Sequence, residues 1–133
     1  MGKKAFIVLG MVLLLNLPSA AFFNRETFNI NAENFVQLVN YISKHVNITG
    51  TICSSEITDN SKVIFLNFGN NFNTSLSAVI YDFDFPAFID AGIKEPETYF
   101  KNKKVVLNGI IRINNGKPEI VLNSPKQIKV LDK

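Results

Sequence analysis

"VIFLNFGNNFNTSLSAVI", residues 63–80, reads as two short alternating stretches on either side of a polar turn. Over residues 62–68, Ile64, Leu66 and Phe68 share one parity, and Val63, Phe65 and Asn67 share the other. A period of two is the pattern of a strand with one buried face. The polar Asn67 marks its own parity as the outward one, so Ile64, Leu66 and Phe68 are expected inside. "GNNFN" supplies a turn, with Phe72 read as a loop anchor. Residues 75–82 then repeat the pattern, Leu76, Ala78 and Ile80 inward and Ser75, Ser77, Val79 and Tyr81 outward.

The same period extends in both directions. Val46, Ile48, Gly50 and Ile52 alternate with polar residues to make an earlier strand, and "EITDNSK" (56–62) is its turn. Ahead of it, Asn31 is placed as a helix cap with Glu33 in the first turn. Ala32, Phe35, Val36, Val39 and Ile42 follow at helical spacing and predict one apolar face. Downstream, Phe83–Lys103 is a longer crossing in which Pro86 and Pro96 allow only short helical pieces. A fourth strand spans Lys104–Ile113, and "NNG" (114–116) is a tight hairpin signal. A fifth strand starts near Glu119, breaks at Pro125 and resumes through Ile128 and Val130.

Two segments echo one another. "YISKHVNITGTI" (41–52) and "FKNKKVVLNGII" (100–111) share an aromatic, Lys, Val, an aliphatic, Gly and Ile at matching offsets. They are the first and fourth strands. Glycine inside a strand otherwise weakens it, so Gly50 and Gly109 are read as barrel corners with special backbone geometry. Five strands with a helical crossing between the third and fourth is the element order of the OB-fold. The expected fold is mainly β: a five-stranded Greek-key barrel with a preceding N-terminal helix and short helical pieces between strands three and four.

A family resemblance covers Tyr41–Leu131. "VIFLNFGNNFNTSLSAVI" followed by "GIIRINNGKPEIVLNSPKQIKVL" (109–131) resembles the small bacterial OB-fold domains of the nucleic-acid-binding type. Such domains occur alone behind signal peptides or attached to nuclease-like domains. "FLNFG" and "GKPEIVLNSPKQIKVL" carry most of the likeness. Ser43 is a departure, since the family commonly has glycine before the first strand's lysine. The resemblance implies the fold more strongly than the ligand, because this fold takes oligonucleotides, oligosaccharides and proteins.

Residues 1–21, "MGKKAFIVLGMVLLLNLPSAA", run from Lys3 and Lys4 through an apolar stretch to Pro18, Ser19, Ala20 and Ala21. Basic, apolar, then small is the order of a secretory signal peptide, and the apolar run is short for a membrane span. The expected organisation is a signal peptide (1–21), a linker (22–30) and one domain (31–133), exported and without a membrane anchor after cleavage. Without Lys3 and Lys4 the formal charge falls from +3 to +1. The charge is also segregated: residues 22–100 hold 4 basic and 9 acidic side chains, and residues 101–133 hold 8 basic and 2 acidic. A basic final third can meet a polyanion or form a solvated strand surface. Cys53 is the single cysteine, which excludes an internal disulfide; in strand surroundings it is expected as a small buried apolar residue.

Catalytic material is sparse. His45 is the only histidine, so a His/Cys metal cluster is not available, and Cys53 has no orienting partners. Asp82 and Asp84 place two carboxylates on one strand face, too few for a calcium site. No enzyme activity, cofactor or metal is expected. A binding surface is. Phe65 and Tyr81 sit on the outward parity of strands two and three with Asn67 and Ser77 as hydrogen-bonding neighbours. Two rings among small polar groups can stack bases without reading sequence. Lys104, Arg112 and Lys117 would supply phosphate contacts. Single-stranded nucleic acid is the leading partner; an envelope protein or glycan is the alternative, and the sequence leaves oligomeric state open. On export, intact-mass analysis of the secreted chain is expected to give a species beginning at Ala21 or Phe22. Full-length chain confined to the cytoplasmic fraction would overturn this expectation.

Overall fold

The computed structural model describes residues 28–71 and 73–131; the leader, residues 22–27 of the linker, Phe72 and residues 132–133 lie outside the described residues. Residues 28–31, which straddle the expected boundary between linker (22–30) and domain (31–133), form a strand, β1 (Phe28–Asn31), followed by a short helix, α1 (Phe35–Asn40). Next come β2 (His45–Ile57), β3 (Val63–Phe68) and β4 (Ser77–Tyr81). The crossing holds a 3-10 turn at Asp82–Asp84 and two helices, α2 (Phe85–Asp90) and α3 (Pro96–Tyr99). Beyond it lie β5 (Lys104–Asn114), β6 (Lys117–Val121), a 3-10 turn at Pro125–Gln127 and β7 (Ile128–Val130). Among the described residues no helix is long and apolar enough to cross a membrane.

The strands close on themselves. β2 pairs antiparallel with β3, and β3 with β4. β4 runs parallel to β6, β6 antiparallel to β5, and β5 returns to β2. This is the five-stranded OB barrel that the element order predicts. Closure depends on the length of β2, 13 residues. Its first half, His45–Thr51, pairs with β5, and its second half pairs with β3. The change of partner falls at an irregularity between Ile52 and Ser54, the kind of bulge that bends a strand at a barrel rim. Cys53 sits in that bulge and is exposed rather than buried, because the extra residue there has no place in the inward alternation.

The inward parity is as expected: Ile64, Leu66 and Phe68 on β3 and Leu76, Ala78 and Ile80 at β4 are all buried. Val46, Ile48, Val105, Leu107, Ile111 and Ile120 join them, and Phe88 and Phe100 add two rings from the crossing.

The two echo segments face one another, with Val46 opposite Gly109 and Gly50 opposite Val105. The two glycines have ordinary backbone angles; among the described glycines only Gly69, Gly92 and Gly116 have positive φ. What they supply is space. A Cβ on Gly50 would lie 2.7 Å from the Ala32 Cβ and 2.8 Å from Phe68 Cδ1; one on Gly109 would lie 2.8 Å from Ile120 Cγ2. Left-handed geometry occurs elsewhere. Asn115 (φ 52°) and Gly116 (φ 76°) make the β5–β6 hairpin turn. Ser43, where the resembling family has glycine, has φ 68°.

Further sequence expectations are corrected. The helix is capped by Asn34, whose side chain accepts from the Gln37 amide, and not by Asn31, which ends β1 and accepts from the Glu33 amide. With only six residues, α1 buries Leu38 alone, while Phe35, Val36 and Val39 are exposed. β4 ends at Tyr81, so Asp82 and Asp84 lie in a 3-10 turn and not on a strand face. After Pro125 the chain resumes as β7, which shares β5 with β6: Ile111–Asn114 pairs with β6 and Val105–Leu107 with β7.

Gly109→Val is expected to destabilise by about 1–3 kcal/mol through overpacking against Ile120. Ser43→Gly, relieving a left-handed serine, is expected to be neutral to stabilising by up to about 1 kcal/mol. Thermal and denaturant melts of both variants check this; an unperturbed melt for Gly109→Val would show that the seam has slack.

Candidate binding face

Register places the outward side chains in rows across the barrel. Ser54, Asn67, Ser77, Glu119 and Arg112 are successive partners across β2, β3, β4, β6 and β5. Glu56, Phe65, Val79 and Val121 form the next row, and Tyr81 lies opposite Val63 beyond it. One row is polar and the adjoining one mostly apolar.

The polar row is internally satisfied. The Ser77 hydroxyl donates to Asn67 Oδ1 at 2.7 Å, and Asn67 Nδ2 reaches Ser54 Oγ at 3.5 Å. Ser77 has no exposed surface and Asn67 only 4%. Arg112 donates to Glu119 Oε2 from Nε at 3.3 Å and from Nη2 at 3.0 Å. Nη2 also donates to the Tyr81 hydroxyl at 2.6 Å. The Glu119 side chain is 4% exposed and that of Arg112 40%. The hydrogen bond to Tyr81, then that to Glu119, push the Arg112 pKa above its ordinary value against a loss from burial. The guanidinium is thus a fixed cation, held through Nε and Nη2.

The aromatic groups are the exposed part. Phe65 and Tyr81 are half-buried, the first beside Val79 in register. Val79 itself is 1% exposed, with Phe65 and Val121 in register on its two sides. Tyr81 stacks on Phe83 with centroids 5.4 Å apart and planes within 11°. Phe83 is 71% exposed. Since β6 lies between β4 and β5, Tyr81 must reach across β6 to meet Arg112.

The structure therefore brings Phe65, Asn67, Ser77, Tyr81 and Arg112 onto one face. Lys117 is close by, two positions before Glu119 on β6 and half-buried, with an interaction of its own. Lys104 is not part of this face. It lies at the opposite end of β5, opposite Thr51, about 27 Å from Arg112 at 3.4 Å per residue. It shares its outward side with Lys129 on β7, which pairs with Val106. Glu119 and Phe83 were missed by sequence reasoning. For Glu119 the signal was present: a tight turn at Asn115–Gly116 sets Asn114 opposite Lys117 and hence Arg112 opposite Glu119. Phe83 carried none, because it follows the strand. Among the described residues no group of three or more His, Cys, Asp or Glu could hold a metal ion.

No family model and no curated protein matches this chain. Solved structures do. OBody AM3L09, bound to hen egg-white lysozyme, superposes with a TM-score of 0.50 at 15% identity, over 71% of this chain and 87% of that one. A Leishmania major Friedlin protein assigned as an aspartyl-tRNA synthetase gives a TM-score of 0.50 at 13% identity, over 80% of this chain and 21% of that one. At these identities the likeness is one of fold, and the chain spans about a fifth of the synthetase.

Arg112→Ala strands a buried carboxylate and is expected to cost about 1–3 kcal/mol, the lower part of the range for a broken pair since the arginine is half-exposed. Adding Glu119→Gln should recover part of the loss. Denaturant melts of the single and double variants decide; a double variant no more stable than Arg112→Ala would show that the pair is not coupled.

Proposed function

We propose that this chain is an exported, non-enzymatic binding module that takes single-stranded nucleic acid across the β3–β4–β6 face with little sequence preference. The carrying observation is the aromatic set: Phe65 half-exposed beside a buried valine, and Tyr81 already stacked on the exposed Phe83. Rings fixed in advance offer bases a flat surface at low ordering cost. The Nη1 edge of Arg112 and the Lys117 ammonium are the phosphate contacts within reach. The synthetase among the fold neighbours supports the reading only at the level of the fold.

A protein ligand is the second reading, and one observation favours it. Glu56 is the register neighbour of Phe65, and Glu119 already balances Arg112. A face with so little net positive charge suits a neutral or mixed surface as well as a polyanion. The OBody neighbour is bound to a protein, lysozyme.

Fluorescence anisotropy with oligo-dT at low salt separates the two. Nucleic-acid binding predicts measurable affinity, with a log–log salt slope near about −1.4 for two contacts at ~0.7 each. Phe65→Ala or Phe83→Ala should each cost about 1–3 kcal/mol without changing that slope. Lys104→Ala should leave affinity at this face nearly unchanged. Absence of binding at low salt, or losses confined to lysine variants anywhere on the surface, would leave the protein reading in place.

A further inference from the structure

Beyond the aromatic face, on the far side of Arg112, lies a cleft of 330 Å³ lined by His45, Gly109, Ile110, Arg112, Val121, Asn123 and Gln127. Its floor is apolar. Ile110, the neighbour of His45 across the β2–β5 seam, is 55% exposed, and Val121 is half-buried. Gly109 contributes backbone alone, since a Cβ there would lie 2.8 Å from Ile120 Cγ2 and 3.4 Å from Gln127 Nε2. Gln127 is locked at the back: Nε2 donates to the Asn108 and Val121 carbonyls, and Oε1 accepts from the Asn123 and Ser124 amides. The walls are therefore preformed.

The rim of the cleft carries Arg112 on one side and His45 on another. Asn108 Nδ2 donates to Asn47 Oδ1 at 2.7 Å, which turns Asn108 Oδ1 toward His45 Nε2 at 2.6 Å. With Asn108 Oδ1 accepting, Nε2 is the nitrogen that carries hydrogen, and that N–H is spent on Asn108. Arg112 itself bridges the cleft to the aromatic face through its bond to Tyr81.

We infer that this cleft is a subsite for a single nucleotide unit, its base lying on Ile110 and Val121 and its phosphate meeting Arg112. The inference rests on the nucleic-acid reading of the aromatic face and extends it: a strand stacked on Phe65 and on Tyr81–Phe83 continues past Arg112 and delivers its next unit into the cleft. The chemistry is complementary on both counts, an apolar floor for a π-face and a cationic rim for a monoanion or dianion. A preformed, partly walled subsite is also where base preference would arise on an otherwise sequence-tolerant surface.

The test uses the mature chain and three small probes followed by amide chemical shifts: thymidine 5′-monophosphate, thymidine and inorganic phosphate. The monophosphate is expected to move Gly109, Ile110 and Val121, thymidine to move them less, and phosphate alone to move only the rim. In parallel, Ile110→Glu is expected to weaken oligo-dT binding roughly tenfold, comparable to losing one stacked base. Val36→Glu, at an exposed site on α1, serves as the charge-matched control and should change nothing. If Phe65→Ala weakens oligo-dT but Ile110→Glu does not, the cleft is excluded and the aromatic face stands. If oligo-dT is not bound but the monophosphate still titrates the cleft, the subsite stands without the strand reading. Equal shifts from phosphate and monophosphate, or no shifts from any probe, overturn the nucleotide subsite.

Discussion

The antiparallel seam between β2 and β5 is the constraint on which the rest of the barrel depends. A strand can close a barrel only if it finds a partner on each side, and β2 does so by giving each half to a different neighbour. The seam requires the backbones to be approached closely from within, and two glycines make this possible, each opposite the valine of the other segment. Removing the Cβ at Gly50 lets Ala32 sit against the strand. Ala32 then ties three elements together: its amide donates to the Thr49 carbonyl and its carbonyl accepts from the Leu76 amide, each at 3.0 Å. The entry of β1, the middle of β2 and the approach to β4 are held at one point because one side chain is missing.

The geometry of the outer face follows from that closure. Within the barrel, β4 and β6 form the parallel pair, which sets Glu119 beside Ser77 and Val121 beside Val79. Glu119 is then a nearly buried carboxylate in the middle of a sheet face, a costly arrangement unless it is paired and hydrogen-bonded. Arg112, its register partner on β5, supplies the charge, and Asn114 Nδ2 approaches the other oxygen at 3.5 Å. Tyr81 completes the set by accepting from the same guanidinium, which fixes the ring that Phe83 stacks upon. A stability requirement at Glu119 is thereby converted into a rigid aromatic surface several ångströms away.

What was legible in the sequence was whatever depends on alternation and turn chemistry. The parity of β3 could be read from Asn67 alone, the hairpin from Asn115–Gly116, and the seam from the echo of two glycine-bearing segments. The barrel followed from their order. Less legible were features set by partners distant in sequence. "FNIN" (28–31) is too short to announce a strand, and only the edge offered by β2 makes it one. Phe35, Val36 and Val39 have helical spacing, yet a six-residue helix anchored by Asn34 presents only Leu38 to the core. Outward parity was also not equivalent to exposure: Ser77 and Val79 face out and are still covered, Ser77 between the larger Asn67 and Glu119 and Val79 beside the larger Phe65. Gly109 was expected to supply an unusual backbone torsion and instead supplies space, since a glycine selected for space and one selected for torsion look alike in a sequence.

The charge pattern shows most plainly how a linear reading and a folded surface diverge. The basic final third does not form one patch, because β5 carries its cationic residues at opposite ends. Arg112 and Lys117 lie near the hairpin beside Glu119, where much of their charge is balanced locally. Lys104 and Lys129 lie at the other end, on the outward side of the β1–β2–β5–β7 sheet, among Asn29, Asn31, Asn47, Thr49 and Thr51. Those outward positions carry no carboxylate, and β7 is an edge strand for which a lysine discourages pairing with another sheet. Long-range attraction for an anion is therefore directed at a different face from the one that holds the rings. A ligand on the aromatic face would have to be held by contact: by stacking on Phe65 and Phe83, and by short-range bonds to a guanidinium held in place by Tyr81 and Glu119. Such a surface would discriminate by shape and flatness more than by charge.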